Sequence, residues 1–154
     1  MDFSGYTEIL KRNIIFWLII LAIAAIFFLS FEVIYLKSKN LNKKEDSEAR
    51  NNANLGIFLF ILVLAFALYN TIPSAIDIAN ENYISVHGEY STRKSDGRIE
   101  IFVKTDGGEH FTLTMPARSG LITNGIVELG EHKGTIWYAE KSEFIVDFVP
   151  DEIS

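Results

Sequence analysis

The sequence predicts a two-helix transmembrane hairpin followed by a small antiparallel β domain of five or six strands, barrel-like and OB-like or SH3-like in type. Two long apolar segments lie in the first half of the chain, and short alternating segments fill the second half. The charge divides in the same way. Residues 1–72 contain 7 basic and 6 acidic residues, whereas residues 73–154 contain 7 basic and 14 acidic residues. We therefore expect a membrane domain over residues 1–79 and an extracytoplasmic domain over residues 80–154.

The first predicted span covers residues 14–36, and its residues 14–29 are all apolar. Twenty-three helical residues rise about 34 Å, which is enough to cross a hydrocarbon core of about 30 Å. A cleaved signal peptide is the alternative, because Lys11 and Arg12 precede the apolar run. The run is too long for a signal peptide and lacks a polar cleavage region after its alanines, so a retained helix is favoured.

The second predicted span covers residues 55–72 and has its densest apolar core at residues 57–69. Between the spans, residues 37–54 are polar and mixed in charge, which predicts a flexible connector or a helical extension. This connector contains five basic residues, against two in the N-terminal flank. Basic residues are retained on the cytoplasmic side, so we expect a cytoplasmic loop, both termini outside, and a two-pass cell-membrane protein.

The second half alternates apolar and polar residues between turn signals. A hairpin is predicted where Ile99, Ile101 and Val103 on one face alternate with Glu100, Phe102 and Lys104 on the other, before the turn Asp106-Gly107-Gly108. The other strand candidates are residues 83–90, 109–115, 125–129, 134–139 and 143–149. A domain with so small a core has a low free energy of unfolding. We therefore expect contacts with the membrane, its helices or another subunit to stabilise it.

The aromatic segment of residues 134–149 has two interpretations. Trp137, Tyr138, Phe144 and Phe148 either fill the barrel core or line a ligand groove, and core packing is the simpler reading.

No residue pattern assigns chemistry to the chain. Each of His87, His110 and His132 lies within two residues of a glutamate, but adjacent strand residues point to opposite faces. Only His87 and Glu89 share a face, so a metal site is not expected. The chain has no cysteine, no nucleophile elbow and no phosphate-binding glycine loop. We therefore predict no enzyme activity, no catalytic, cofactor-binding or metal residues, and no cofactor. The net charge of -6 also argues against nucleic acid as a partner.

These features favour a non-enzymatic bacterial integral membrane protein. Its acidic β domain would bind or shield a protein partner at the membrane surface, as an accessory subunit or immunity-type factor does. The predicted partners are the lipid bilayer and either another protein or a second copy of the chain. The alternative is a membrane-anchored sensor or envelope-ligand-binding module, and a weaker third possibility is a hydrolase that uses His87 or His132. In domain order alone, the chain resembles short NfeD-like membrane proteins.

Overall fold

The computed structural model describes residues 3–38, 43–95 and 98–151. In these residues, two long helices precede five strands. The helices are α1 (Ser4–Ser38) and α2 (Lys43–Asn80), and the strands are β1 (Tyr83–Ser95), β2 (Arg98–Thr105), β3 (His110–Thr114), β4 (Glu131–Ala139) and β5 (Phe144–Pro150). Contacts divide the chain into two compact units, one of Ile15–Thr71 and one of Met1–Ile14 with Ile72–Ser154. This division differs from the expected boundary at residue 80.

The helical unit is a pair of packed apolar helices. Aromatic rings meet at two levels, with ring centroids 5.5 Å apart for Trp17 and Phe66 and 5.3 Å apart for Phe28 and Phe60. Many large apolar side chains point outward, as Phe27 does with 64% of its surface exposed. By length and composition, Ser4–Lys37 and Arg50–Asn80 are apolar enough to cross a membrane. Two helices of this kind suggest a membrane location.

Both helices extend beyond the predicted spans. Residues 39–42 of the expected connector, with Lys39, lie outside the described part of the chain, but residues 43–54 are helical. The helical-extension alternative therefore holds for this stretch. The second helix also continues through Pro73 to Asn80, although proline cannot donate a backbone hydrogen bond. Two residues before Pro73, the Thr71 hydroxyl donates to the Ala67 carbonyl at 2.8 Å.

The five strands follow one another in the order β1-β2-β3-β5-β4, and β4 also pairs with β1. Four of the five pairings are antiparallel, but β3 meets β5 in parallel through the single pair Thr114 and Phe144. The expectation of a purely antiparallel barrel is therefore wrong, because β5 runs beside β3 in the same direction. The result is a five-stranded mixed sheet whose closure is one residue pair wide, not a clean barrel.

Strand β1 is longer than predicted because it pairs with two neighbours. Its first part pairs with β4 and its second part with β2, and Gly88 lies in the overlap. A Cβ on Gly88 would lie 2.3 Å from the Lys104 carbonyl oxygen. Its cross-strand partner Gly134 is equally crowded, since a Cβ there would lie 2.2 Å from the Val149 carbonyl oxygen. The missing side chains let neighbouring backbones approach closely where the sheet bends.

The predicted strand at residues 125–129 is wrong, because this segment forms turns and bends. Gly125 has a φ of 69°, and the N–H groups of Ile126 and Val127 both donate to the Leu121 carbonyl. The phenol of Tyr90 accepts from the Glu128 N–H at 3.2 Å and donates to the Glu128 carbonyl at 3.0 Å. A side chain, and not a neighbouring strand, thus satisfies the backbone groups of Glu128. The alternating sequence alone therefore led to a wrong strand assignment.

The core of the sheet follows the predicted alternation. Ile101 and Val103 point inward, as expected, and Ile99 packs against the same cluster. The buried members of this cluster are Tyr90, Ile101, Val103, Leu113, Leu121, Val127, Ile136, Ile145 and Phe148. The predicted hairpin of β2 and β3 is confirmed, and Gly108 adopts a φ of 83° in its turn.

Candidate partner-binding face and its supports

The first turns of α1 cover the outer side of β4 and β5. Leu10 is fully buried in a second cluster with Ala139, Phe144 and Val146. Ile145 and Phe148 of the same strand belong to the barrel core. Residues 144–148 of β5 are therefore covered on both faces, which explains their mostly apolar sequence. This packing agrees with the expectation that the helices stabilise this small domain.

The aromatic segment around Trp137 is covered by the chain itself. The Trp137 ring lies 6.2 Å from Phe3 and 5.9 Å from Tyr6, measured between ring centroids. Phe144 and Phe148 are each only 8% exposed. These aromatic side chains thus pack against other residues of the chain and do not line an open groove.

Polar contacts reinforce the same cover. The Tyr6 hydroxyl donates to Asp147 on β5 at 2.9 Å, and the hydroxyls of Thr7 and Tyr83 lie 3.0 Å apart. These contacts attach the first turns of α1 to β5 and β1.

A buried polar joint attaches the sheet to the ends of both helices. The Asp77 carboxylate on α2 is fully buried and accepts from the Lys141 N–H at 2.9 Å and the Ser142 N–H at 2.8 Å. The Ser142 hydroxyl also donates to it at 2.7 Å. On α1, the amide oxygen of Asn13 accepts from the Ala117 N–H at 3.1 Å. These bonds hold the β4–β5 turn and the segment after β3 to helical residues.

The part of the outer surface of the sheet that lies away from α1 is not covered by any described segment. Here β4, β1, β2 and β3 form cross-strand rows of outward side chains, with Ser91 paired to Phe102 and Phe102 paired to Thr112. A groove of about 440 Å³ lies along these rows. Its outward lining includes Glu89, Ser91, Phe102, Lys104, Glu131 and Lys133, which we call the Phe102 face.

Phe102 is the central apolar group of this face and is 40% exposed. Glu89 and Lys104 pair across the strands in the next row, and Glu89 also faces Lys133. The face therefore combines one exposed aromatic ring with charges of both signs. The sequence alternation placed Phe102 on the polar face of β2. An aromatic residue at such a position was the available sequence signal for this face. The groove itself was not predicted.

The three histidines do not use the nearby glutamates suggested by the sequence. Both ring nitrogens of His87 face carboxylates, Asp106 at 2.5 Å and Asp151 at 2.8 Å. His132 lies against Tyr90, with ring centroids 5.3 Å apart, and His110 lies at the groove. Within residues 3–38, 43–95 and 98–151, no group of three or more histidine or acidic side chains is arranged to hold a metal ion.

No protein-family model matches the chain, and no match was found among curated proteins or solved structures. The function of the chain is therefore inferred from its own surface and contacts. Two structural facts carry that inference: one side of the sheet is covered by α1, and the Phe102 face is open.

Proposed function

We propose that this chain is a non-enzymatic integral membrane protein whose acidic β domain binds a protein partner through the Phe102 face. In this proposal, α1 and α2 cross the bilayer, the connector is cytoplasmic and both termini are extracytoplasmic. The β domain is OB-like or SH3-like, and it acts as an accessory subunit or immunity-type factor. The uncovered Phe102 face is the observation that carries the proposal.

The composition of the face supports a protein partner. Aromatic residues are enriched at the energetic centres of protein interfaces, usually with polar residues around them. Phe102 occupies such a central position, with Ser91 and Thr112 beside it in its own row. Charges of both signs at Glu89 and Lys104 would set the register of a partner and discriminate against others.

The attachment of the sheet to the helical residues of its own unit supports a fixed geometry for this face. Asp77 and Asn13 bond to the β4–β5 turn and to the segment after β3. A face carried on such an attachment is preorganised, which lowers the entropy lost on binding.

Site-specific photocrosslinking tests the proposal in cells that contain the natural partner. A photoreactive phenylalanine analogue at position 102 should crosslink to one protein, while the same analogue at Val149 should not. Val149 is a matched control because it is an apolar strand residue with 52% exposure. With that protein purified, Phe102→Ser should weaken binding at least about tenfold, as loss of an interface hot spot does, and Val149→Ser should not. Equal crosslinking at both positions, or none at position 102, would reject the proposal.

The groove volume favours a second candidate function, a sensor or envelope-ligand-binding module. A volume of about 440 Å³ lies within the range of small-molecule sites. Thermal unfolding of the full chain in detergent with soluble cell-wall fragments distinguishes the two functions. A rise in Tm that Phe102→Ser removes supports ligand binding, whereas an unchanged Tm favours the protein partner.

A further inference from the structure

His87 joins three segments at one end of the sheet. Its Nδ1 lies 2.5 Å from a carboxylate oxygen of Asp106 in the β2–β3 turn. Its Nε2 lies 2.8 Å from a carboxylate oxygen of Asp151, the residue after β5. Lys133 on β4 also approaches Asp106, with its Nζ 3.6 Å from the second carboxylate oxygen. We call these four residues the His87 cluster.

The number of N–H donors on the His87 ring determines whether it can bind one or both carboxylates. A neutral imidazole has one N–H donor, whereas the protonated ring has two. Asp106 and Asp151 are acceptors in their ionised forms, so both contacts are hydrogen bonds only when His87 is protonated. Loss of the proton leaves one carboxylate facing a lone pair.

The two carboxylates differ in their other support. Asp106 retains its ion pair with the Lys133 ammonium when His87 is neutral. Among the described residues, the hydrogen bonds and ion pairs of the Asp151 side chain involve only His87. The adjacent backbone N–H of Asp151 donates to the Lys133 carbonyl at 3.1 Å. Whichever ring nitrogen keeps its hydrogen in neutral His87, the Asp151 contact changes from an ion pair to a weaker hydrogen bond or to none, so the end of β5 is held less tightly.

We propose that the His87 cluster is a proton-operated clasp that fixes the end of β5 to β1 and to the β2–β3 turn when His87 is protonated. Loss of that proton weakens the attachment of Asp151. Because Lys133 also lines the Phe102 face, the clasp lies at one end of the groove. The clasp depends on neither membrane insertion nor a partner.

The sign of the pH dependence follows from the neighbours of the ring. Hydrogen bonds to Asp151 and then to Asp106 raise the pKa of His87 above its ordinary 6.5. The stabilisation from His87 is thus complete below pH 6.5 and is lost as the pH rises through the raised pKa. Conversely, the hydrogen bond to His87 lowers the pKa of Asp106 below 3.8, so its contribution is lost only in stronger acid.

Nuclear magnetic resonance of the full chain in detergent micelles tests the clasp, with ¹⁵N-labelled histidine titrated from acid to alkaline pH. We expect two protonated ring nitrogens on His87 in mild acid and a titration midpoint above 6.5. The amide signal of Asp151 should shift with the same midpoint. Its hydrogen-exchange protection, corrected for the intrinsic pH effect, should fall several-fold across it.

Two variants and one control separate the clasp from general instability. Asp151→Asn should lower the His87 midpoint, and His87→Gln should remove the pH dependence of Asp151 protection. Glu109→Gln is the control, because it neutralises an exposed acid in the same β2–β3 turn. A His87 midpoint at or below 6.5, or Asp151 protection that is the same on both sides of the midpoint, overturns the proposal.

Discussion

Replacing Asp77 by alanine should unfold the β unit at a much lower temperature. The Asp77 carboxylate lies in the last turns of α2 with no solvent exposure. It accepts the N–H groups of Lys141 and Ser142, and the Ser142 hydroxyl as well. Alanine would leave both N–H donors without their acceptor in a buried site.

The magnitude follows from those donors. A buried donor left unpaired costs about 1–3 kcal/mol, so two of them predict a loss of about 2–6 kcal/mol in the free energy of unfolding. Removing the buried charge of Asp77 recovers part of this cost, so a loss of about 3 kcal/mol is the central expectation. For a domain near 100 residues, that loss lowers Tm by about 12 °C or more. Asp77→Asn keeps one acceptor oxygen and should lose about half as much.

Thermal unfolding of the full chain in detergent measures the effect. A Trp17→Phe background leaves Trp137 as the single tryptophan, which reports on the unit that contains the sheet. Glu109→Ala, an exposed acid, is the control and should change the free energy of unfolding by less than about 0.5 kcal/mol. If Asp77→Ala destabilises the β unit no more than Glu109→Ala, the joint does not hold the sheet as argued.

Three other changes test the packing and the orientation. Leu10→Ala should cost about 2–5 kcal/mol of β-unit stability in the same thermal assay, because it opens a cavity against β5, and no loss would show that α1 is dispensable. Gly88→Ala should disrupt the β1–β2 pairing, seen as lost amide protection, since its Cβ would meet the Lys104 carbonyl, whereas Gly5→Ala meets open space and should be silent. A reporter fused after Ser154 should be active only outside the cytoplasm, and cytoplasmic activity would reverse the proposed orientation.

Local patterns explain how much of the fold was predictable. The length and apolarity of the two helical segments, the β2–β3 hairpin and the inward positions of Ile101 and Val103 all follow from residues close together in sequence. Periodicity of 2 and continuous apolar runs are local signals, so they can be read without tertiary structure. The same signal failed at residues 125–129, where the Tyr90 hydroxyl, 38 positions away, satisfies the backbone of Glu128.

The candidate site was less predictable than the strands. Alternation placed Phe102 on the polar side of β2, but the groove is lined by residues of four strands. His87 was expected beside Glu89, yet its partners Asp106 and Asp151 come from 19 and 64 positions away. Chain topology, and not sequence spacing, brought these groups together.

The sequence by itself determined the two apolar helices, the acidic β half and most of the strands, because burial and turn chemistry act over a few residues. Only the tertiary structure decided that the first turns of α1 close the outer side of β5, with Tyr6 bonded to Asp147 across 141 positions. Apolar residues in sequence show that a surface must be buried, but not which segment buries it. The packing of α1 on β5 covers the Trp137 segment and leaves the Phe102 face exposed.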